Sequence, residues 1–124
     1  MYLCIVNNKS KKAMTKVAIP IEKDCLSTHF GLCSHYVVFT IEKSKVVEKV
    51  KVKPDFTAIE EFPQWLIGMG VTDVVTYKIN PVLIPEFIKS KINVFVGTNQ
   101  IAPDLLVADY INGKLKSNEE ILNS

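Results

Sequence analysis

Cys25, His29, Cys33 and His35 fall within eleven residues in the pattern C-x3-H-x3-C-x-H. Thiolates favour soft metals and iron–sulfur centres, and imidazole suits most transition metals, so a loop that concentrates both can hold a metal ion or a metal–sulfur cluster. The spacing matches no zinc-finger template. His29 is followed by Phe30, an aromatic suited to packing beneath a loop, and by Gly31, which permits a turn that a side chain would forbid. Each residue also has a plainer reading. His29 can be a turn histidine bonded to a backbone carbonyl, and Cys33 a small buried thiol. Cys25 reaches a common ligand volume only if the loop folds back. His35 borders a strand that sets where it points. Cys4, between Leu3 and Ile5, reads as buried.

The elements around this loop must position it. Val17 to Ile21 is a short continuous apolar run, the signature of a strand buried on both faces and hence central in a sheet. Tyr36 to Ile41 and Val46 to Val52 are rich in β-branched residues and are separated by Glu42-Lys43-Ser44-Lys45, which predicts an antiparallel hairpin. From Thr57 the period becomes helical through Ile59, Phe62, Leu66 and Met69, with Pro63 kinking or restarting the helix and Gly70 stopping it. Val71 to Thr76 is the next strand. Asn80-Pro81 opens a second helix whose buried face is Leu83, Ile84, Phe87 and Ile88, with Pro85 in conflict with it. Ile92 to Val96 is a strand ended by Gly97. A last helix spans Pro103 to Ile111 with Gly113 as its stop, and Lys116 to Ser124 is a loose polar tail. This order predicts an α/β domain with a mostly parallel sheet, one antiparallel strand and helices on its faces.

At 124 residues the chain fits one domain, and 48% hydrophobic with 23% charged residues are ordinary globular values. No stretch approaches the roughly 20 apolar residues of a membrane span, and Met1 to Val6 is too short for a signal-peptide core. Three cysteines, an odd number, point to free thiols or ligands in a reducing compartment, so a cytoplasmic protein without a membrane partner is expected. The net charge of +2 implies no polyanionic partner, and all fifteen basic residues are lysine. Without arginine's planar fork, nucleic acid is not the expected partner. Lys49, Lys51 and Lys53, at period two, read as the solvated face of an outer strand.

Several landmarks then occur together in order: Ile19-Pro20-Ile21, His29-Phe30-Gly31, Tyr36 to Ile41, Lys45 to Glu48, Gly70 to Val75, Lys91 to Gly97, and Tyr110 to Leu115. In this series the chain resembles the dinitrogenase iron-molybdenum cofactor-binding (cofactor biosynthesis) domain family over residues 16–116. Residues 1–15 are then an N-terminal extension or extra edge strand, and 117–124 a polar tail. The resemblance implies a ribonuclease-H-like motif with a five-stranded mixed sheet. It also implies a non-enzymatic carrier of an iron–sulfur or iron–molybdenum–sulfur cluster, working with a cluster donor or acceptor protein. In such relatives the histidine of His-Phe-Gly is linked with holding the cofactor. His29, Phe30, Gly31 and Cys33 are therefore the expected cofactor-binding residues together with Lys78, and His29, Cys33, Cys25 and His35 the metal ligands.

The chain departs from the family pattern at three places. Leu32 stands where relatives commonly carry arginine after His-Phe-Gly. Tyr77-Lys78-Ile79-Asn80 replaces a glycine-rich turn whose backbone N–H groups would approach an anion, and Lys78 either restores a positive charge there or is a solvated loop lysine. Lys53-Pro54-Asp55-Phe56 lacks the insert of some relatives. These losses equally fit a scaffold or regulatory interaction domain that no longer binds cofactor. A nuclease on the ribonuclease-H-like scaffold would need clustered carboxylates, and Val17 to Ile21 contains none, with Asp73 and Asp104 far apart in sequence.

Overall fold

A computed structural model describes residues 14–28, 30, 35–55 and 59–118. Its centre is β1 (Met14–Glu22), in which Val17, Ala18 and Ile19 are fully buried. β2 (Cys25–Leu26) folds back onto the end of β1, and β3 (His35–Glu42) and β4 (Lys45–Val52) form a hairpin. β5 (Asp73–Val75) and β6 (Asn93–Phe95) complete a sheet of order β4-β3-β1-β5-β6, with β2 attached to β1 off this path. β1 pairs in parallel with β5, and β5 with β6, whereas β1–β3 and β3–β4 are antiparallel. Along this path β3 runs against the other four, as the order of elements predicted, and the short β2 is also antiparallel to β1.

Strand alternation divides the core into two layers. Ala18, Tyr36, Val38 and Val74 face α1 (Phe62–Gly68) and α2 (Ile84–Lys89) on one side of the sheet. Val17, Ile19, Ile21, Val37, Phe39 and Val75 face α3 (Pro103–Ile111) on the other, meeting Leu106 and Val107. The prolines decide where the helices begin. Pro63 and Pro85 each sit in the first turn of an α-helix preceded by a 3-10 turn (Ile59–Glu61 and Pro81–Leu83), so both restart the chain rather than kink a longer helix. Asn80 Oδ1 accepts a 3.1 Å bond from Val82 N–H, the predicted cap. Gly70 and Gly113 end α1 and α3 with φ of 78° and 71°.

Three local expectations are corrected. Met69 follows α1 instead of belonging to it. Ile88, assigned by its spacing to a buried face, is 64% exposed, because α2 has only six residues and its inner side is filled by Phe87. At the start of the expected loose tail, Ser117 and Asn118 are held: Val96 N–H donates to Ser117 Oγ at 3.1 Å, and Asn118 N–H to the Val96 carbonyl at 2.7 Å, while residues 119–124 lie outside the described residues. Lys49 and Lys51 are exposed on the edge strand β4, as read from their period.

Candidate functional site

Parallel pairing of β1 with β5 brings the loops beyond their carboxyl ends together, the place where an open α/β sheet leaves a crevice. After Glu22 the chain reverses over Lys23 and Asp24, both left-handed with φ of 52° and 66°. This turn lays Cys25 opposite Glu22 and Leu26 opposite Ile21. Ser27 N–H then donates to the Pro20 carbonyl at 2.8 Å and Leu26 N–H to the Ile101 carbonyl at 3.0 Å, seating the folded-back segment on the sheet.

The two loops are bonded to one another through Lys78. Its N–H donates to the Thr28 carbonyl at 3.0 Å, and its carbonyl accepts from Phe30 N–H at 2.8 Å. A third loop joins at the same rim, where Gln100 Nε2 donates to Thr28 Oγ1 at 2.8 Å. Phe30 anchors the arrangement from below. It is 3% exposed, with its ring edge-on to Tyr36, Phe62 and Phe87 at centroid distances of 5.4, 5.1 and 5.9 Å. Such edge-to-face contacts add to the area the ring buries.

The segment Tyr77 to Asn80 is held by its own side chains. Ile79 is buried against the α1/α2 layer and Tyr77 packs against the α3 layer. None of its residues has a positive φ; the glycine with left-handed backbone at this rim is Gly97, in the loop after β6, at 68°.

Phe30 and Lys78 are therefore brought together, whereas Cys25 and His35 are not. Cys25 is a half-buried free thiol lining an open hollow of about 550 Å³ shared with Glu22, Lys23, Thr28 and Gln100. His35 pairs with Ile21 while Cys25 pairs with Glu22, so the two side chains leave opposite faces of the sheet. His35 lines a separate hollow of about 420 Å³ with Asp24, Lys49, Lys51 and Asp104. Burial, then the charges of Lys51 and Lys53, hold its imidazole below the ordinary 6.5, opposed by Asp24 and Glu22. Among the described residues, no three His, Cys, Asp or Glu side chains gather in a way that could hold a metal ion. His29, Gly31 and Cys33 lie outside the described residues, as do Leu32 and Cys4.

Sequence reasoning missed Gln100 and Thr28, whose contact spans 72 positions and leaves no local signal. It also missed the pair Thr76 and Thr98. Thr76 Oγ1 donates to the Phe95 carbonyl at 2.8 Å and Thr98 Oγ1 to the Thr76 carbonyl at 3.0 Å, fastening the ends of β5 and β6 beneath the rim. No helix among the described residues is long and apolar enough to cross a membrane.

A family model described as dinitrogenase iron-molybdenum cofactor matches residues 14–113. Protein MJ0580 of Methanocaldococcus jannaschii is 27% identical over 114 residues, covering 88% of this chain and 96% of its own. The crystal structure of PH0822 has a TM-score of 0.77 at 30% identity, covering 86% of this chain and 97% of that one. The apo form of the orange protein from Desulfovibrio gigas shares the fold, with a TM-score of 0.69 at 16% identity over 85% of this chain and 93% of its own.

Proposed function

Because this chain belongs to the dinitrogenase iron-molybdenum cofactor family, we propose that it is a small non-enzymatic carrier that binds an iron–sulfur or iron–molybdenum–sulfur cluster as cargo. The observation that carries this reading is the pair of backbone bonds from Lys78 to Thr28 and Phe30. They fix the sequence neighbours of His29 on both sides against the loop after β5. Buried Phe30 makes that fixture rigid, while Thr28 and Gln100 are exposed at the rim.

The ligands assigned to the cargo are His29 and Cys33, with Cys25 at the same end of the sheet. Lys78 contributes a cation where a metal–sulfur cluster of negative charge would sit, and Thr28 and Gln100 contribute hydrogen-bonding groups. His35 belongs to the other face and is left out of this set. Few protein ligands suit a carrier, since cargo held by a closed four-cysteine cage would exchange slowly. The cycle is ligand exchange with a donor or acceptor protein in a reducing cytoplasm, with no role for membrane or nucleic acid.

A second reading, a scaffold or regulatory interaction domain that has lost cofactor binding, is favoured by the separation of Cys25 from His35 on opposite faces of the sheet. Nuclease chemistry is less well supported. Asp73 is enclosed by Thr72, Asn93 and Tyr110, whereas Asp104 is exposed and paired with Lys49 at 3.1 Å.

Anaerobic reconstitution with iron and sulfide, read by absorption spectroscopy, tests the carrier. Charge-transfer bands are expected in the parent protein, lost in His29→Ala and weakened in Lys78→Gln. Bands that survive His29→Ala unchanged would remove His29 from the site, and none in the parent protein would favour the scaffold.

A further inference from the structure

On the premise that the chain carries a cluster, we propose that Gln100 is a positioning residue: its side-chain amide turns the Thr28 hydroxyl so that the hydroxyl donates a hydrogen bond to a sulfur of the cargo and raises the cargo's reduction potential. Gln100 Nε2 donates to Thr28 Oγ1 at 2.8 Å. A hydroxyl has one proton to give and two lone pairs with which to receive. With one lone pair engaged by the amide, the proton points away from Gln100, and among the described residues no group accepts it. Both side chains are exposed, and both line the open hollow of about 550 Å³ that they share with the Cys25 thiol. An acceptor that enters the hollow therefore meets a donor already aimed away from the protein. The sulfide and thiolate sulfurs of a metal–sulfur cluster are such acceptors, and hydrogen bonds to them are among the factors that set a cluster's potential.

The backbone holds both partners in place. The Thr28 carbonyl accepts from Lys78 N–H at 3.0 Å. Gln100 stands at the centre of a three-residue turn closed by Ile101 N–H to the Asn99 carbonyl at 3.0 Å. The Ile101 carbonyl accepts in turn from Leu26 N–H at 3.0 Å, so this turn is fastened to the strand that leads into Thr28. Before it in the chain, Thr98 is buried and its hydroxyl donates to the Thr76 carbonyl at 3.0 Å. The loop after β6 contains none of the ligands assigned to the cargo, yet it fixes the direction of a donor beside Cys25. Groups that orient or bond to metal ligands in this way typically account for roughly 10–100-fold in metal affinity.

Two measurements on the full chain test this, one without cargo and one after anaerobic reconstitution with iron and sulfide. Without cargo, the Gln100 side-chain amide protons are expected to shift in NMR spectra of Thr28→Val, which lacks the acceptor, and to stay near their parent positions in Thr28→Ser. After reconstitution, Thr28→Val is expected to lower the midpoint potential and to lose iron to a chelator about tenfold faster, and Thr28→Ser to behave as the parent protein. Gln100→Leu is expected to lower the potential when Thr28 is present and to add nothing in Thr28→Val, since the amide acts through the hydroxyl. Charge-transfer bands in Thr28→Val with an unchanged potential would overturn the inference and leave the carrier standing. A Gln100→Leu effect that persists in Thr28→Val, or Gln100 amide signals that ignore Thr28→Val, would overturn the positioning role. No bands in the parent protein would overturn the carrier and the inference with it.

Discussion

Tyr110 Oη on α3 donates a 2.8 Å hydrogen bond to Asp73 Oδ2, at the start of β5. The carboxylate is 3% exposed and also accepts from Thr72 Oγ1 at 2.9 Å and Asn93 Nδ2 at 2.8 Å, so it joins α3, β5 and β6 at the end of the sheet opposite the rim. A buried carboxylate deprived of a donor is costly. Tyr110→Phe should therefore lower stability by about 1–3 kcal/mol in chemical denaturation. Burial, then the bond to Asp73 and its charge, push the Tyr110 phenol well above its ordinary 10.0, opposed by a bond from Thr15. A folded-state value raised in this way gives stability that is complete below about pH 10 and lost as pH climbs above it. The alkaline fall of stability should be shallower in Tyr110→Phe than in the parent protein.

Phe30 should be the most sensitive position at the rim. Its ring fills space among Tyr36, Phe62 and Phe87 directly below the backbone bonds to Lys78. Phe30→Ala should cost about 3–5 kcal/mol, and Phe30→Leu less, because much of the volume is retained. Amide exchange at residue 30 and at Lys78 should rise more than exchange at Val74 in both variants. Equal acceleration at all three amides would show that Phe30 supports the whole core without a particular hold on the loops.

The contrast between legible and illegible features follows the range of the interactions. Val17 to Ile21 announced a central strand because a run without polar residues has no solvent face to offer, and Gly70 and Gly113 announced helix ends because each sits where the chain turns left-handed. β2 is two residues long and exists through its pairing with Ile21 and Glu22, so no window of sequence contains its cause. The opposite facing of Cys25 and His35 was equally hidden. Ligand spacing counts residues, but which face each side chain leaves depends on the register of two separate strands against β1. Ile88 shows the reverse failure, a correct helical period whose fifth residue passes beyond the layer it was expected to join.

His35 should titrate below 6.5, followed by the chemical shift of its ring protons. Lys51→Gln should move the midpoint upward by removing a nearby positive charge, and Asp24→Asn should move it down. The sign for stability follows from the depressed value. The contribution is present above about pH 6.5 and falls away as pH drops below that toward the folded-state value. His35→Gln should accordingly flatten the acidic limb of a stability-against-pH curve. A midpoint unaffected by Lys51→Gln would remove Lys51 from the causes of the shift.

The β3–β4 hairpin turns on Lys43 and Ser44, both left-handed with φ of 52° and 64°. A two-residue turn of this kind matches the twist of the strands, but it needs positive φ at both positions, where asparagine and glycine are favoured. Lysine there brings its Cβ against the following carbonyl, at a cost of about 1–2 kcal/mol per residue. The double substitution Lys43→Asn and Ser44→Gly should relieve most of this strain and raise stability by about 1–2 kcal/mol in thermal or urea unfolding. Exchanging the two, Lys43→Gly with Ser44→Asn, should give a smaller gain. No gain from either would mean that the pairing of β3 with β4 holds the turn without strain.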